Sequence, residues 1–428
     1  MKPSSRTEIL NAAMRVVDAV GGADITYESV AREADDLRPG RTRHLPRGPA
    51  AHARPLAPGR RRPSPTERPA RMSPSTSHAP VLVTGGSGFV ASHLVQQLLD
   101  RGYPVRATVR DLDRADKVEP LRRIAARTTG SLELFEADLM RPGAFDEAMS
   151  GCHQVFHVAS PFMLPEKIRD GRRDVLDPAL EGTRNVLASI DRTPDVERLV
   201  LTSTVGAIFG DYVDVREMKD GTLSEDYFNT TSTLDNNPYH YAKTVAELEA
   251  WSLARKQDRW DMVTINPGLV LGPSLGTSSD SGSLFLMNEL MSGYFFYGAP
   301  NFSFTFVDVR DVAAAHIRAA EVESASGRYI LARPGMVSMG QMSRIIRDRH
   351  LGRLTLPRHG VPDAAVRVLG PLFGLTQDYI RKHLGITFPV DNHRSVEELG
   401  ISYRAVEETV LDHYDAWREQ HRTKKARP

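Results

Sequence analysis

From Ala79 onward, short unbroken apolar runs alternate with longer stretches in which apolar residues recur every three or four positions. The runs are Val81–Val83, Val105–Val109, Leu132–Phe135, Val155–Ala159, Leu199–Leu201 and Met262–Ile265. Each has the length of a strand buried on both faces, which carries no polar alternation because neither face meets water. Between the first two runs, Leu94, Val95, Leu98 and Leu99 recur at helical spacing and Gly102 ends the helix. Helical periods also occupy 114–126, 142–149, 176–190 and 239–256. Strand and helix in strict alternation predict βαβ units and a parallel sheet. No repeat of 20–50 residues is evident.

Upstream of Ala79 the pattern is different. Residues 37–71 hold ten Arg and one Glu, a charge of +9, whereas residues 1–36 carry −3 and residues 72–428 carry −5. The segment 37–78, dense in Arg and Pro, cannot bury enough apolar surface to offset chain entropy and is expected to be disordered. Its Arg clusters suit phosphate, but a spacer of no function is equally compatible with disorder and is the reading favoured. Before it, Ile9, Leu10, Ala13, Val16 and Val17 recur at helical spacing up to Gly21-Gly22. This SRTEILNAAMRVVDAVGGADITYESVAREA stretch resembles the opening of a TetR-type DNA-binding domain. Asp35, Asp36 and Pro39 then lead into the Arg/Pro segment where that family places its recognition helix. Residues 1–36 therefore read as a truncated helical fragment that does not bind nucleic acid, with Met72 as the expected true start.

Composition narrows the function classes. Of 428 residues, 40% are hydrophobic and 25% charged, and the net charge is +1, the balance of a globular protein with no overall pull toward nucleic acid. One cysteine, Cys152, excludes an internal disulfide framework and a Cys-rich zinc site. With no run of about 18 apolar residues there is no membrane span, and no secretory signal precedes the fold. A cytoplasmic enzyme is the expectation.

The strand Val81–Val83 runs into Thr84-Gly85-Gly86-Ser87-Gly88-Phe89-Val90-Ala91 and then a helix. A pyrophosphate reaches a helix N-terminus only where the backbone turns sharply and approaches closely, which Gly85 and Gly88 permit. Ala91 occupies the third small position, where helix packs on strand. Strand before, helix after and a βαβ rhythm beyond make this a dinucleotide fingerprint. The second strand ends Val109-Arg110, and Lys117 follows on the next helix. A guanidinium there can pair with an adenosine 2′-phosphate and a lysine can add a second charge, which favours NADP (NADPH). Asp111 beside Arg110 keeps NAD as the alternative.

Tyr239 and Lys243 in YHYAK lie one helical turn apart on one face. An ammonium beside a phenol is expected to lower its pKa and make it a usable acid or base. Upstream, Leu201-Thr202-Ser203-Thr204 ends a strand with hydroxyls at the crevice. With TGGSGF, these residues carry a resemblance to the extended short-chain dehydrogenase/reductases (the epimerase/dehydratase superfamily), in the branch of dihydroflavonol 4-reductases and cinnamoyl-CoA reductases. Further motifs are VRDLDRADKV, FHVASP, LTSTVGAI, INPGLVLGP, FVDVRDVAAAHI and GRYIL, in the family's order. The resemblance implies an α/β fold, a Rossmann doubly wound parallel sheet with a smaller discontinuous C-terminal substrate-binding domain. The cofactor-binding domain would span 79–272 with a return segment 302–332. Residues 273–301 and 333–428 would form the substrate part and a tail.

The same resemblance assigns roles. Gly85, Gly88 and Phe89 line the pyrophosphate turn; Arg110 and Lys117 meet the 2′-phosphate; Asp138 and Leu139 flank the adenine. Val158, Ala159 and Ser160 run beside the cofactor, and Pro267, Gly268 and Leu269 contact the nicotinamide. Tyr239 donates the proton to the substrate carbonyl, Lys243 holds the nicotinamide ribose, and Thr204 stands where the family usually has serine. Ser203 faces the cofactor side, although a shift of one residue would exchange it with Thr204. The implied reaction is hydride transfer from NADPH to an aldehyde or ketone by a monomer or homodimer. A nucleotide-sugar epimerase or dehydratase, a hydroxysteroid dehydrogenase and a cofactor-sensing regulator are the alternatives.

Two departures bear on substrate. The cinnamoyl-CoA reductase sequence Asn-Trp-Tyr-Cys-Tyr is not matched by Asn237-Pro238-Tyr239-His240-Tyr241, which counts against a CoA thioester. Phe209 stands where flavonoid-reducing members place an asparagine, which counts against a dihydroflavonol. Cys152, His157, His240, the alternating Phe302, Phe304 and Phe306, and the anchors Asp308 and Asp311 read as structural.

Overall fold

The computed structural model describes residues 79–161, 168–276, 281–350 and 356–425. The expected fragment 1–36 and the segment 37–78 lie outside the described residues.

Seven strands form one sheet: β1 (Val81–Val83), β2 (Pro104–Val109), β3 (Ser131–Glu136), β4 (Gln154–His157), β5 (Arg198–Thr202), β6 (Asp261–Pro267) and β10 (Gly327–Leu331). Their spatial order is β10-β6-β5-β4-β1-β2-β3. Every pairing is parallel. Connections reverse direction between β1 and β4, the switch point at which open parallel sheets bind ligands beyond their carboxyl ends. Short strands β7 (Leu269–Leu271) and β9 (Phe306–Asp308) pair beside this sheet, and β8 (Ser303–Phe304) pairs with β11 (Val337–Ser338).

The helices are α1 (Phe89–Asp100), α2 (Ala115–Ala125), α3 (Asp146–Met149), α4 (Asp177–Arg192), α5 (Pro238–Arg255), α6 (Gly282–Ser292) and α7 (Val309–Glu321). After β11 come α8 (Met339–Arg349), α9 (Asp363–Leu369), α10 (Gln377–His383), α11 (His393–Glu397) and α12 (Val406–Lys425). Alternate strand residues sort onto opposite faces of the sheet. Leu82, Val155, Leu199, Leu201 and Met262 pack with α4 and α5. Val81, Val83, Phe156, Val200, Val263 and Ile265 pack with α1 and α7. A third apolar cluster joins α6, α8 and α12 around Met287, Met342 and Tyr414 and contains Phe302 and Phe306. Asp308 and Asp311 hold this part to the sheet: Asp308 accepts from Arg310 and Thr409, and Asp311 accepts from the Arg404 backbone and guanidinium.

Two elements are shorter than their sequence patterns. The run Val155–Ala159 stops pairing at His157, because the Val158 and Ala159 N–H groups donate to Thr84 Oγ1 at 3.1 and 3.0 Å. The helical period 142–149 forms only Asp146–Met149, since Gly143 at φ +75° opens its first turn.

Candidate active site

At the end of β1 the backbone turns at Gly85, whose φ of +66° lies in the left-handed region. A Cβ there would also come within 3.0 Å of Ala159 Cβ, so both conformation and space call for glycine. The turn is drawn against β2 by Gly85 N–H donating to Thr108 Oγ1 at 3.1 Å and Gly86 N–H donating to Thr108 O at 2.8 Å. Sequence reasoning passed over Gly86, yet its Cβ would meet Ala107 Cβ at 2.8 Å. Gly88 has an ordinary φ of −71° and caps α1 with no side-chain bond to the first amides. Those amides form the partly positive end of α1. Ala91 is fully buried against the sheet, and the Phe89 ring is buried with it, so Phe89 offers the turn its backbone.

Around the turn, Arg110 is exposed directly beyond β2. Lys117, on α2, lines a cleft with Ser87, Ser92 and Gly276. Asp111, the residue that kept NAD open, accepts the N–H of Asp113 at 2.9 Å. Beyond β3, exposed Asp138 accepts the Met140 N–H at 2.9 Å. Leu139 packs on Gly182, and Asn185 donates to its carbonyl at 2.8 Å.

Thr84 closes the floor. Its Oγ1 already accepts two N–H groups, so its own proton goes to His157 Nδ1 at 2.9 Å. Burial drives the His157 pKa down to about 3, which keeps the ring neutral and its second nitrogen protonated. A second cleft, at the carboxyl ends of β4 and β5, is lined by Leu139, Ala159, Ser160, Ser203, Lys243 and Glu247. Five of those six were singled out from sequence.

Helix α5 begins at Asn237, a left-handed residue (φ 63°, ψ 59°) whose side chain accepts the His240 N–H, with Pro238 at the first position. Tyr239 thus sits in the first turn and Lys243 one turn on. Lys243 Nζ donates to the Thr202 carbonyl at 3.0 Å. Burial pulls the Lys243 pKa down to about 8, and the Glu247 carboxylate opposes that pull. Tyr239 departs from the sequence expectation: burial pushes its phenol up, not down. The cause is desolvation of the phenolate, and the ammonium one turn away is directed at Thr202.

Ser203 and Thr204, neighbours in extended chain, direct their hydroxyls to different partners. Ser203 is buried and its Oγ donates to Glu247 Oε2. Half-buried Thr204 accepts the Gly206 N–H at 3.2 Å and donates to the Pro267 carbonyl at 3.5 Å. Pro267 ends β6; at Gly268 the chain leaves the sheet, where a Cβ would meet Thr305 Oγ1 at 2.7 Å, and Leu269 opens β7. The His240 ring fills the space a Gly206 Cβ would need. Burial holds it neutral, with a pKa of about 4. Phe209 packs edge-on against His240, Tyr212 and Phe388.

Sequence reasoning missed Thr84, Glu247, Asn266 and Arg328. Glu247 was within reach, since Tyr239, Lys243 and Glu247 follow one another at four-residue steps along one helix face. Cys152 is fully buried and its thiol is pushed up to about 11 by burial. Among the described residues no group of three or more His, Cys, Asp or Glu could hold a metal, and no helix is long and apolar enough to cross a membrane.

Sheet order, glycine turn and the Tyr239–Lys243 face together define an extended short-chain dehydrogenase/reductase. The chain belongs to the NAD dependent epimerase/dehydratase family, whose model matches residues 81–332, and within it is an enzyme of reductase type. It is 40% identical over 279 residues to cinnamoyl-CoA reductase CAD2 of Medicago truncatula, covering 65% of this chain and 82% of that one. It is 34% identical over 273 residues to dihydroflavonol 4-reductase of Gerbera hybrida, covering 64% and 73%. Among solved structures it resembles the yeast methylglyoxal/isovaleraldehyde reductase Gre2 complexed with NADPH (TM-score 0.63, 27% identity, 82% of this chain and 100% of that one).

Proposed function

We propose that the chain is an NADPH-dependent carbonyl reductase that converts an aldehyde or ketone to an alcohol. The observation that carries this reading is the Tyr239–Lys243 face of α5, held to the end of β5 by the Lys243–Thr202 bond, with Thr204 two residues further on. The glycine turn suits a dinucleotide pyrophosphate, since Gly85 takes a left-handed φ and leaves no room for a Cβ against Ala159, which draws the backbone into a tight turn before α1. The exposed Arg110 and the cleft-lining Lys117 suit a 2′-phosphate. A family relative of known structure carries NADPH, which supports the same choice. The cofactor unit would be 79–272 with 302–332, and the substrate part 273–301 with 333–428.

A bound nicotinamide would supply the hydride. Tyr239, kept as the neutral phenol by burial, donates its proton to the carbonyl oxygen. Thr204 donates a hydrogen bond to the same oxygen as negative charge develops on it. Lys243 keeps a positive charge beside the site and holds the cofactor ribose. Val158, Ala159 and Ser160, together with Pro267, Gly268 and Leu269, border the cofactor, and Asp138 and Leu139 border its adenine. The Phe209 ring, packed among Tyr212, His240 and Phe388, presents no hydrogen-bonding group, which suits carbonyl compounds without a phenol to be read.

The test is oxidation of NADPH, and separately NADH, by the full chain against a panel of aromatic and aliphatic aldehydes and ketones. Turnover with NADPH and one carbonyl class is expected. NADPH binding without turnover on any member would overturn the carbonyl assignment.

A further inference from the structure

Buried at the root of the site is an ion pair that the mechanism above does not use. Glu247 is 1% exposed and Arg328 2% exposed. Arg328 Nε donates to Glu247 Oε1 at 2.6 Å and Nη2 donates to Oε2 at 3.4 Å. Glu247 also accepts from Ser203 Oγ, from Asn266 Nδ2 at 2.9 Å and from Trp251 Nε1 at 3.4 Å. Such a pair is weak evidence for stability, because desolvation offsets the attraction. Its partners suggest another use.

Apart from Trp251, one turn along the same helix, its arms lead to the hydroxyl-bearing turn after β5 or to the loop beyond it. Ser203 is bound through its side chain. Asn266, held by Glu247, donates its amide to the Thr204 carbonyl at 3.1 Å. Arg328 Nη2 donates to the Ala207 carbonyl at 3.3 Å, at the far end of the same turn. Arg328 Nη1 donates to the carbonyls of Glu225, at 3.1 Å, and Tyr227, in the loop that follows, and its guanidinium lies 3.9 Å over the Phe228 ring. Lys243 holds the near end at Thr202. Asn229 adds bonds to the Gly206 and Ala207 carbonyls at 2.8 and 3.0 Å, but the holds on the Ser203 side chain and on the Thr204 carbonyl both trace back to Glu247, and Arg328 reaches Ala207.

We infer that Glu247 is a positioning residue: paired with Arg328, it sets the backbone of Ser203 and Thr204 so that the Thr204 hydroxyl meets the substrate oxygen. This rests on the role proposed for Thr204. A misplacement of about 1 Å at a reacting group can cost on the order of 100-fold in rate, so the effect should appear in kcat. A carboxylate touching no substrate should leave the KM for the carbonyl nearly unchanged.

The test is a double-mutant cycle of Glu247→Gln and Thr204→Ala in the full chain, with kcat, KM and NADPH affinity by fluorescence titration read for each. Glu247→Gln is expected to lower kcat about 30- to 100-fold, with KM and NADPH affinity within about threefold. In the Thr204→Ala background it should lower kcat by less than about threefold further, since the group it positions is gone. Independent multiplication of the two losses overturns the inference while leaving Thr204's role intact. An unimpaired Thr204→Ala overturns the role on which it rests. If Glu247→Gln leaves Arg328 uncompensated and the chain unfolds, the variant Glu247→Gln with Arg328→Met removes both charges and is expected to fold. The same non-additivity is required of it, and a wild-type kcat in that variant overturns the inference.

Discussion

Lys243 Nζ donates to the Thr202 carbonyl oxygen across 3.0 Å, tying the helix that carries Tyr239 to the strand that ends just before Ser203 and Thr204. The bond makes Tyr239 and the hydroxyl turn parts of one rigid unit. It also leaves the ammonium buried, where its charge depends on pH.

Tyr239→Phe removes one hydroxyl from a buried ring and leaves the Lys243–Thr202 bond in place. Turnover is expected to fall by about 10²–10⁴-fold. NADPH affinity, followed by fluorescence, should stay within about twofold. Unchanged turnover would remove Tyr239 from the reaction.

The Lys243 ionisation sets the alkaline limb. Its pKa is lowered to about 8, so the ammonium is present below that pH and lost above it. Tyr239 is shifted the other way, so the phenol needed for reduction persists as Lys243 loses its charge. Accordingly kcat/KM for carbonyl reduction should be flat below about pH 7 and fall as pH rises through about 8, because this parameter reports the free enzyme. A profile flat to pH 10 contradicts the assignment.

Arg110→Ala tests the dinucleotide. If the guanidinium meets a 2′-phosphate, the charge-assisted bond is lost for NADPH alone. The dissociation constant for NADPH should rise about tenfold or more, while that for NADH changes less than about twofold. Equal effects on both cofactors would exclude the role.

Gly85→Ala places a methyl at a left-handed residue, 3.0 Å from Ala159 Cβ. The strain, about 1 kcal/mol or more, falls on the turn itself. NADPH affinity should drop about tenfold or more, and the urea midpoint should fall by no more than this strain accounts for. A wild-type affinity would show that the turn does not approach the cofactor.

Cys152 should be chemically silent. It is fully buried, its Sγ donates to the Ala148 carbonyl at 3.4 Å, and its pKa is raised to about 11, so almost no thiolate exists at neutral pH. A thiol-specific reagent is expected to titrate no group in the folded chain and one after unfolding, with activity unaffected before unfolding.

What the sequence alone determined is what local chemistry dictates. Apolar runs long enough for buried strands set the βαβ order; glycines mark where a backbone must turn or approach; and the four-residue step from Tyr239 to Lys243 puts both on one helix face whatever packs around them. Tertiary structure decided the features that depend on partners far along the chain. Strand β4 ends at His157 because Thr84, 73 residues earlier, takes the next two N–H groups. Ser203 turns inward because Glu247 lies behind it, and Glu247 is held there because Arg328, 81 residues on, reaches it. The phenol of Tyr239 rises where spacing predicted a fall, because the energy of removing a phenolate from water is set by the packing around it and by no neighbour in sequence.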